Sequence, residues 1–190
     1  MKNEVTIGNQ VWMIENLNVD KFSSGDPIPE AKTKEEWLKA VENKQPAWCY
    51  YNNDSAYGEK YGKLYNWYAV IDSRGLAPVG YHIPTDEEWQ KLVDYLGYDV
   101  GIKMKSTIGW AENERGTNES GFSGLPGGNV DFSFGFINPV GSVGSWWSST
   151  ELDYPNIIFA WSRTLNYNSG RLGRNSSVKK DGYSVRCLRD

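Results

Sequence analysis

Apolar and polar residues alternate through EVTIGNQVWMIENLNV in two short runs set around Gly8 and Asn9. That period of two, broken by a Gly-Asn pair, predicts an N-terminal β-hairpin with Trp12 and Leu17 turned toward a core. The spacing becomes helical after the turn-rich SSGDPIPEA, where Trp37, Ala40 and Val41 follow Thr33 and Glu36, the pair that makes a capping box. A short amphipathic helix over residues 34–43 is expected. The same device recurs in GYHIPTDEEWQKLVDYLG: Thr85 is the N-cap, Glu88 its partner, Trp89, Leu92, Val93 and Leu96 the apolar stripe, and Gly97 the stop.

Between the two helices, WCYYNNDSAYGEKYGKLYNWYAV is too aromatic for a free loop and too interrupted for one long helix. It reads as a loop over 52–58 and a short helix or strand over 64–70. Residues 112–145 are rich in Gly, Asn and Pro, which predicts ordered loops held by turns. Strand patterns return in IIFAWSRTL, in the polar RLGRNSSV and in GYSVRCLRD. In the last of these Tyr183, Val185 and Cys187 share one face, with Ser184 and Arg186 on the other. Short antiparallel strands, two helices and long ordered loops make an α+β fold. With 190 residues, nine tryptophans, twelve tyrosines and no fixed-period repeat, a single domain over residues 1–190 with an aromatic core is expected.

Charge changes the picture only by exclusion. Twenty-four acidic residues against 20 basic ones, without a run of either sign, argue against nucleic acid as a partner. No stretch approaches the ~18 apolar residues of a membrane span, so no direct membrane insertion by this segment is expected. The start, MKNEVTIGNQ, lacks the apolar centre of a signal peptide, which suits either a cytosolic chain or a mature form.

Candidate chemistry is sparse. His82, the one histidine, cannot build a histidine-rich metal shell and has no GxSxG partner, so a structural or capping role is expected. NNDSAYGE misses the spacing of a calcium-binding EF-hand loop, and NESGFSGLPGG lacks the Lys-Ser or Lys-Thr of a phosphate loop. No cofactor and no metal are expected, and structural calcium is not indicated by a motif. Cys49 and Cys187 form either a disulfide or two buried free thiols. In GSWWSSTELDYPNIIFAWSRT, Trp146 and Trp147 must point to opposite faces of a strand. One is expected to anchor the core while the other borders a polar recognition face. Ser148, Ser149 and Thr150 would then hydrogen-bond the loop leading to Trp161, itself expected in the core.

The blocks GNQVWMIENLNV, YGKLYNWYAV, LAPVGYHIPTDEEWQKL, TNESGFSGLPGG, WWSST and YSVRCLRD, in this order, resemble the Fibrobacter succinogenes major paralogous domain. The resemblance spans nearly the whole chain and implies a C-type lectin-like fold, found in secreted proteins and surface lipoproteins of gut and related bacteria. An extracytoplasmic location, secreted or on an outer-membrane lipoprotein, is therefore expected. HIPTDEEW is similar to the helix-opening motif of the formylglycine-generating sulfatase-modifying factors. Those enzymes use two cysteines near the C-terminus, where this chain has only Cys187.

WSS…AW…G…VRC is similar to the lectin-like segment of retroelement variable proteins. By that similarity the ligand-binding face takes in Glu151, Asp153, Tyr154 and Asn156 in a loop, Ser162, Thr164, Asn166 and Asn168 on the outer face of a strand, and Arg171 and Arg174 beyond a turn. Trp146, Trp147 and Ser149 complete the candidate site. Arg163, Arg171 and Arg174 suit acidic sugars or carboxylates. The Glu-Pro-Asn and Trp-Asn-Asp motifs of calcium-dependent lectins are absent. The expectation is a noncatalytic cell-surface or secreted binding or adhesion domain for a glycan or protein ligand. The alternatives are an enzyme using Cys187 and a structural module of a surface assembly.

Overall fold

The computed structural model describes residues 3–111, 116–131, 136–153 and 158–190. The alternating N-terminal run forms the expected hairpin: β1 (Glu4–Ile7) pairs antiparallel with β2 (Gln10–Met13), Ile7 opposite Gln10. Helix α1 (Lys34–Glu42) opens on the Thr33 and Glu36 capping box and buries Trp37. Strand β3 (Trp48–Cys49) leads through a 3-10 turn into α2 (Ser55–Tyr61), where the sequence suggested a loop. Asp54 caps α2 by accepting the Ala56 N–H at 2.9 Å. The polar composition hid the helix, whose inward residues are Gly58 and Tyr61. Gly58 is required because the Tyr50 ring lies 2.1 Å from where a Cβ would stand.

Residues 64–70 contain both of the alternatives the sequence offered, β4 (Leu64–Tyr65) and then α3 (Trp67–Val70). Buried Asn66 joins them by accepting N–H groups from Ala47 and Ala69. After β5 (Tyr81–His82) comes α4 (Asp86–Leu96), with the Thr85 and Glu88 capping box and Gly97 at its C-cap as expected, and then α5 (Val100–Met104). The rest is strand and loop: β6 (Asn129–Asp131), β7 (Phe136–Asn138), β8 (Val143–Glu151), β9 (Phe159–Asn166), β10 (Leu172–Val178) and β11 (Leu188–Arg189). The strands form antiparallel sheets in the orders β1-β2-β11-β5, β10-β9-β8, β3-β4 and β6-β7. The fold is α+β, and the first sheet places the end of the chain beside its beginning.

Strand β8 runs between two aromatic clusters. Trp146 packs with Trp12, Trp89 and Phe122, its ring 5.7 Å from Phe122 and 6.4 Å from Trp89. Trp147 joins the other cluster and stacks on Tyr183 at 4.4 Å. The two side chains diverge as strand geometry demands, yet both indoles are fully buried, so the expectation that one borders a ligand face is corrected. The reason is that both faces of β8 are covered at this point. Each indole N–H is satisfied, Trp146 by Asn16 Oδ1 and Trp147 by the Tyr65 carbonyl, both at 2.8 Å.

The last segment carries the expected alternation, but its polar side is buried as well. Arg186 is fully enclosed. Its Nε and Nη2 donate to Asn16 Oδ1 at 3.1 and 2.8 Å, and Nη1 donates to the carbonyls of Met13 and Phe122 at 3.1 and 2.7 Å. The guanidinium also lies 4.3 Å from the centre of the Phe122 ring. Burial pulls its pKa down to about 9, which still leaves it charged at neutral pH. Removing it takes the guanidinium donor from the Met13 and Phe122 carbonyls, each loss costing about 1–3 kcal/mol, and leaves Asn16 Oδ1 with the Trp146 indole. Arg186→Ala and Asn16→Ala should each destabilise the chain by at least about 3 kcal/mol in urea unfolding. The double variant should lose less than the sum, because the two residues serve one network. Additive losses would show that they act separately.

Candidate functional site

The register of β8, β9 and β10 sorts the expected ligand-binding residues onto two faces. Trp147, Ser162 and Asn175 stand in one cross-strand row, and Ser145, Thr164 and Gly173 in the next, on the same face. Trp146, Arg163 and Arg174 form a row on the opposite face, with Trp161 and Ser176 beside it. The candidates therefore do not make one surface. Ser162, expected on the outer face, is buried: Tyr183 stacks on its neighbour Trp147 and donates to Ser177, whose hydroxyl lies 2.8 Å from that of Ser162.

Thr164 is half-buried, and Asn166, Asn168, Arg171 and Arg174 are exposed. Thr164 Oγ1 accepts from Asn175 at 3.2 Å and meets Ser145 at 3.2 Å, and Ser145 in turn accepts from Asn129 at 2.8 Å. Exposed Glu151 is ion-paired to Lys179, Asp153 is exposed, and half-buried Ser149 gives its N–H to the Pro84 carbonyl at 3.0 Å. Tyr154 and Asn156 lie outside the described residues. Among the described residues, one hydroxyl after the tryptophan pair, that of Thr150, holds helix α4, while that of Ser148 bonds locally; the loop before Trp161 lies partly outside the described residues. Ser148 Oγ accepts the Thr150 N–H at 3.0 Å, and Thr150 Oγ1 accepts the Asp86 N–H at 2.9 Å.

Trp161, expected in the core, is half-buried instead and carries the Arg174 guanidinium 3.4 Å above its ring. Its row lies on β9 and the edge strand β10, past the part of the face where Trp146 packs on Trp89 of α4. Asp86, buried in the first turn of α4, organises the group: Oδ1 accepts Arg163 Nη2 at 2.7 Å, and Oδ2 accepts Arg174 Nε at 2.9 Å and is ion-paired to Nη2 at 2.8 Å. Arg163 is 2% exposed and also donates to the Asp86 carbonyl at 3.0 Å, so it is a strut and not a ligand contact. Burial lowers its pKa, with Asp86 opposing that shift. The Arg174 side chain is 45% exposed, and its Nη1 has no acceptor among the described residues. A cation with a flat aromatic backing and exposed Ser176 on the same face is suited to bind carboxylate or hydroxyl oxygens.

The reactive-group candidates are enclosed. Cys49 and Cys187 are free thiols in separate core clusters, which corrects the disulfide alternative. Burial pushes both up to about 12, reinforced at Cys49 by Glu30 and opposed at Cys187 by Arg186. Neither is a thiolate at neutral pH, the form a nucleophile requires.

His82 bridges two carboxylates, Nδ1 to Asp190 at 2.8 Å and Nε2 to Glu88 at 3.0 Å. Partial burial lowers its pKa, but the two carboxylates outweigh burial and the net shift is upward. A neutral imidazole has one N–H and serves one carboxylate, whereas the cation serves both. The stabilisation is complete below the unfolded pKa of about 6.5 and is lost as pH rises through the higher folded value. Wild-type melting temperature should therefore fall between about pH 6 and pH 8 relative to His82→Gln, whose profile should be flatter over that window. Parallel profiles would show that the bridge contributes nothing.

No curated protein and no solved structure matches this chain. The network around Arg186 joins four of the blocks singled out in the sequence: Met13 at the end of the hairpin and Asn16 just after it, Phe122 in the glycine-rich loop, Trp146 through Asn16, and Arg186 itself near the C-terminus. The family model of the Fibrobacter succinogenes major domain matches residues 5–189, and the chain belongs to that family.

Proposed function

We propose that this chain is a noncatalytic binding or adhesion module with a C-type lectin-like fold. It is presented extracytoplasmically, on a secreted protein or outer-membrane lipoprotein, and recognises a carboxylate-bearing glycan or protein ligand. The observation that carries this reading is the Arg174 guanidinium, laid on Trp161 and held by Asp86 with one edge open to solvent. A guanidinium fixed in advance loses little freedom on binding, and its planar fork suits a carboxylate better than a lysine ammonium does. Thr164, Asn166, Asn175 and Arg171 are polar or charged residues on or beside the same pair of strands. Of these, Thr164 and Asn175 stand on the opposite face of the sheet from Arg174, so on its own face the polar neighbour is the exposed Ser176. The enzymatic alternative is weaker, because Cys187 is buried and protonated.

The purified chain should be tested on an array of acidic and neutral glycans, with calcium and with chelator, beside Trp161→Ala, Arg174→Ala and Arg174→Lys variants. Acidic glycans should be retained equally in both conditions. Arg174→Ala should weaken retention at least about tenfold, equivalent to about 1.4 kcal/mol, and Arg174→Lys should restore only part of it. Retention unchanged in Arg174→Ala and Trp161→Ala would place the site elsewhere.

A further inference from the structure

A cleft of about 530 Å³ lies apart from Arg174 and Trp161 and shares no residue with them. Four segments enclose it: the chain leaving β2 at residues 14–18, the end of α2 near Gly58 to Gly62, residues 106–108 after α5, and the loop at 118–125. Its volume is within the range of small-molecule sites, roughly 300–1,000 Å³. We propose that this cleft is a second binding site, for a neutral polyhydroxylated ligand of about one or two sugar rings.

The walls are fixed in advance. Asn118 and Ser123 both adopt left-handed backbone, φ 51° and 55°, a conformation uncommon for non-glycine residues and one that clusters at functional sites. A reciprocal pair holds them there: Asn118 Nδ2 donates to Ser123 Oγ at 2.9 Å and the Ser123 N–H donates to Asn118 Oδ1 at 2.7 Å. Gly62, φ 79°, closes the facing wall, where an added Cβ would stand 2.7 Å from the Leu17 carbonyl oxygen. Asn16, also in the lining, has its oxygen committed to Trp146 and Arg186 and one N–H to the Tyr61 carbonyl. These residues position the cleft and do not contact the ligand.

The groups left for a ligand are of mixed kind. Asn18 has its side-chain oxygen held by Lys63 Nζ at 3.0 Å, which leaves its NH₂ as a donor. Glu59 and the Thr107 hydroxyl have no hydrogen-bond partner among the described residues, and Glu15 uses one oxygen, toward Asn3. Carboxylate acceptors beside amide and hydroxyl donors match the paired hydroxyls of a polyol. Two carboxylates against the single Lys60 disfavour an anion. Among the described residues no group of three His, Cys, Asp or Glu could hold a metal ion. The apolar wall from Ile14 and Leu125 provides a surface for C–H groups.

This proposal does not rest on the Arg174 reading, and the experiment separates them. The ¹⁵N-labelled chain is titrated with methyl glycosides of glucose, mannose, galactose and N-acetylglucosamine, with glucuronate as the anionic control. At least one neutral glycoside should shift amides in residues 14–18, 58–62, 106–108 and 118–125. Thr107→Trp, placed at an exposed position to fill the cleft, should raise its Kd more than tenfold, and Arg174→Ala should leave it unchanged. Glu59→Ala, which removes an exposed acceptor without adding bulk, should also raise the Kd and serves if Thr107→Trp does not fold. Absence of shifts with every neutral glycoside, or shifts that survive the folded variants with unchanged Kd, would overturn the proposal.

Discussion

A buried guanidinium with no carboxylate hydrogen-bonded to it among the described residues is the constraint on which the rest of this structure depends. Arg186 has its positive charge in the core and, among the described residues, only neutral oxygens as acceptors, from Met13, Phe122 and Asn16. An ion removed from water demands that its donors be met, because a missing acceptor there costs more than a neutral pair would. The three acceptors come from segments far apart in sequence, so the requirement fixes the chain exit from the first hairpin and the glycine-rich loop together. Asn16 carries the constraint further, to the Trp146 indole and the end of α2. The cleft at residues 14–18 and 118–125 inherits its shape from this network, which connects the core to a surface feature.

Strand β8 turns the same logic on apolar side chains. Sheets with one face in water alternate apolar and polar residues, but β8 is buried continuously from Val143 to Ser148. Two tryptophans in succession are thus a mark of a strand covered on both sides. The dense aromatic packing has a cost: the Trp12 and Trp89 indole N–H groups are buried without partners among the described residues. Each forfeits about 1–3 kcal/mol, offset by the contact area of rings whose centroids lie only 4.7 Å apart.

Local signals in the sequence were the most legible. The Thr33 and Thr85 capping boxes and the Gly8-Asn9 hairpin depend on neighbours within a few residues, and all three stand as read. Helix α2 was missed because a helix of this length has little periodicity and its cap, Asp54, sits among other polar residues. The site was less legible, for a different reason. Parity along a strand says which residues share a face, but not whether that face is covered, and the cover comes from α4 and Tyr183, distant in sequence. That is why Trp146 and Trp147 were read as a partial surface and Trp161 as core, the reverse of their burial. The pairing of Trp161 with Ser176 in the polar edge strand β10 was the available hint.

Charge balance explains why Arg174 is the residue turned toward solvent. Asp86 brings one negative charge to two guanidinia, so the hydrogen-bonded cluster retains one positive charge. Arg163, almost completely buried, has the greater need of that carboxylate, since an unpaired charge in its position would carry the full desolvation cost. The surplus therefore resides on Arg174, where water can reach it. Trp161 fixes that surplus in place by lying flat beneath the guanidinium, an arrangement that neutralising Asp86 and Arg163 does not require. A positive charge that the fold does not need for its own pairing, yet holds by two separate contacts, is the feature of this surface that an anionic partner would complete.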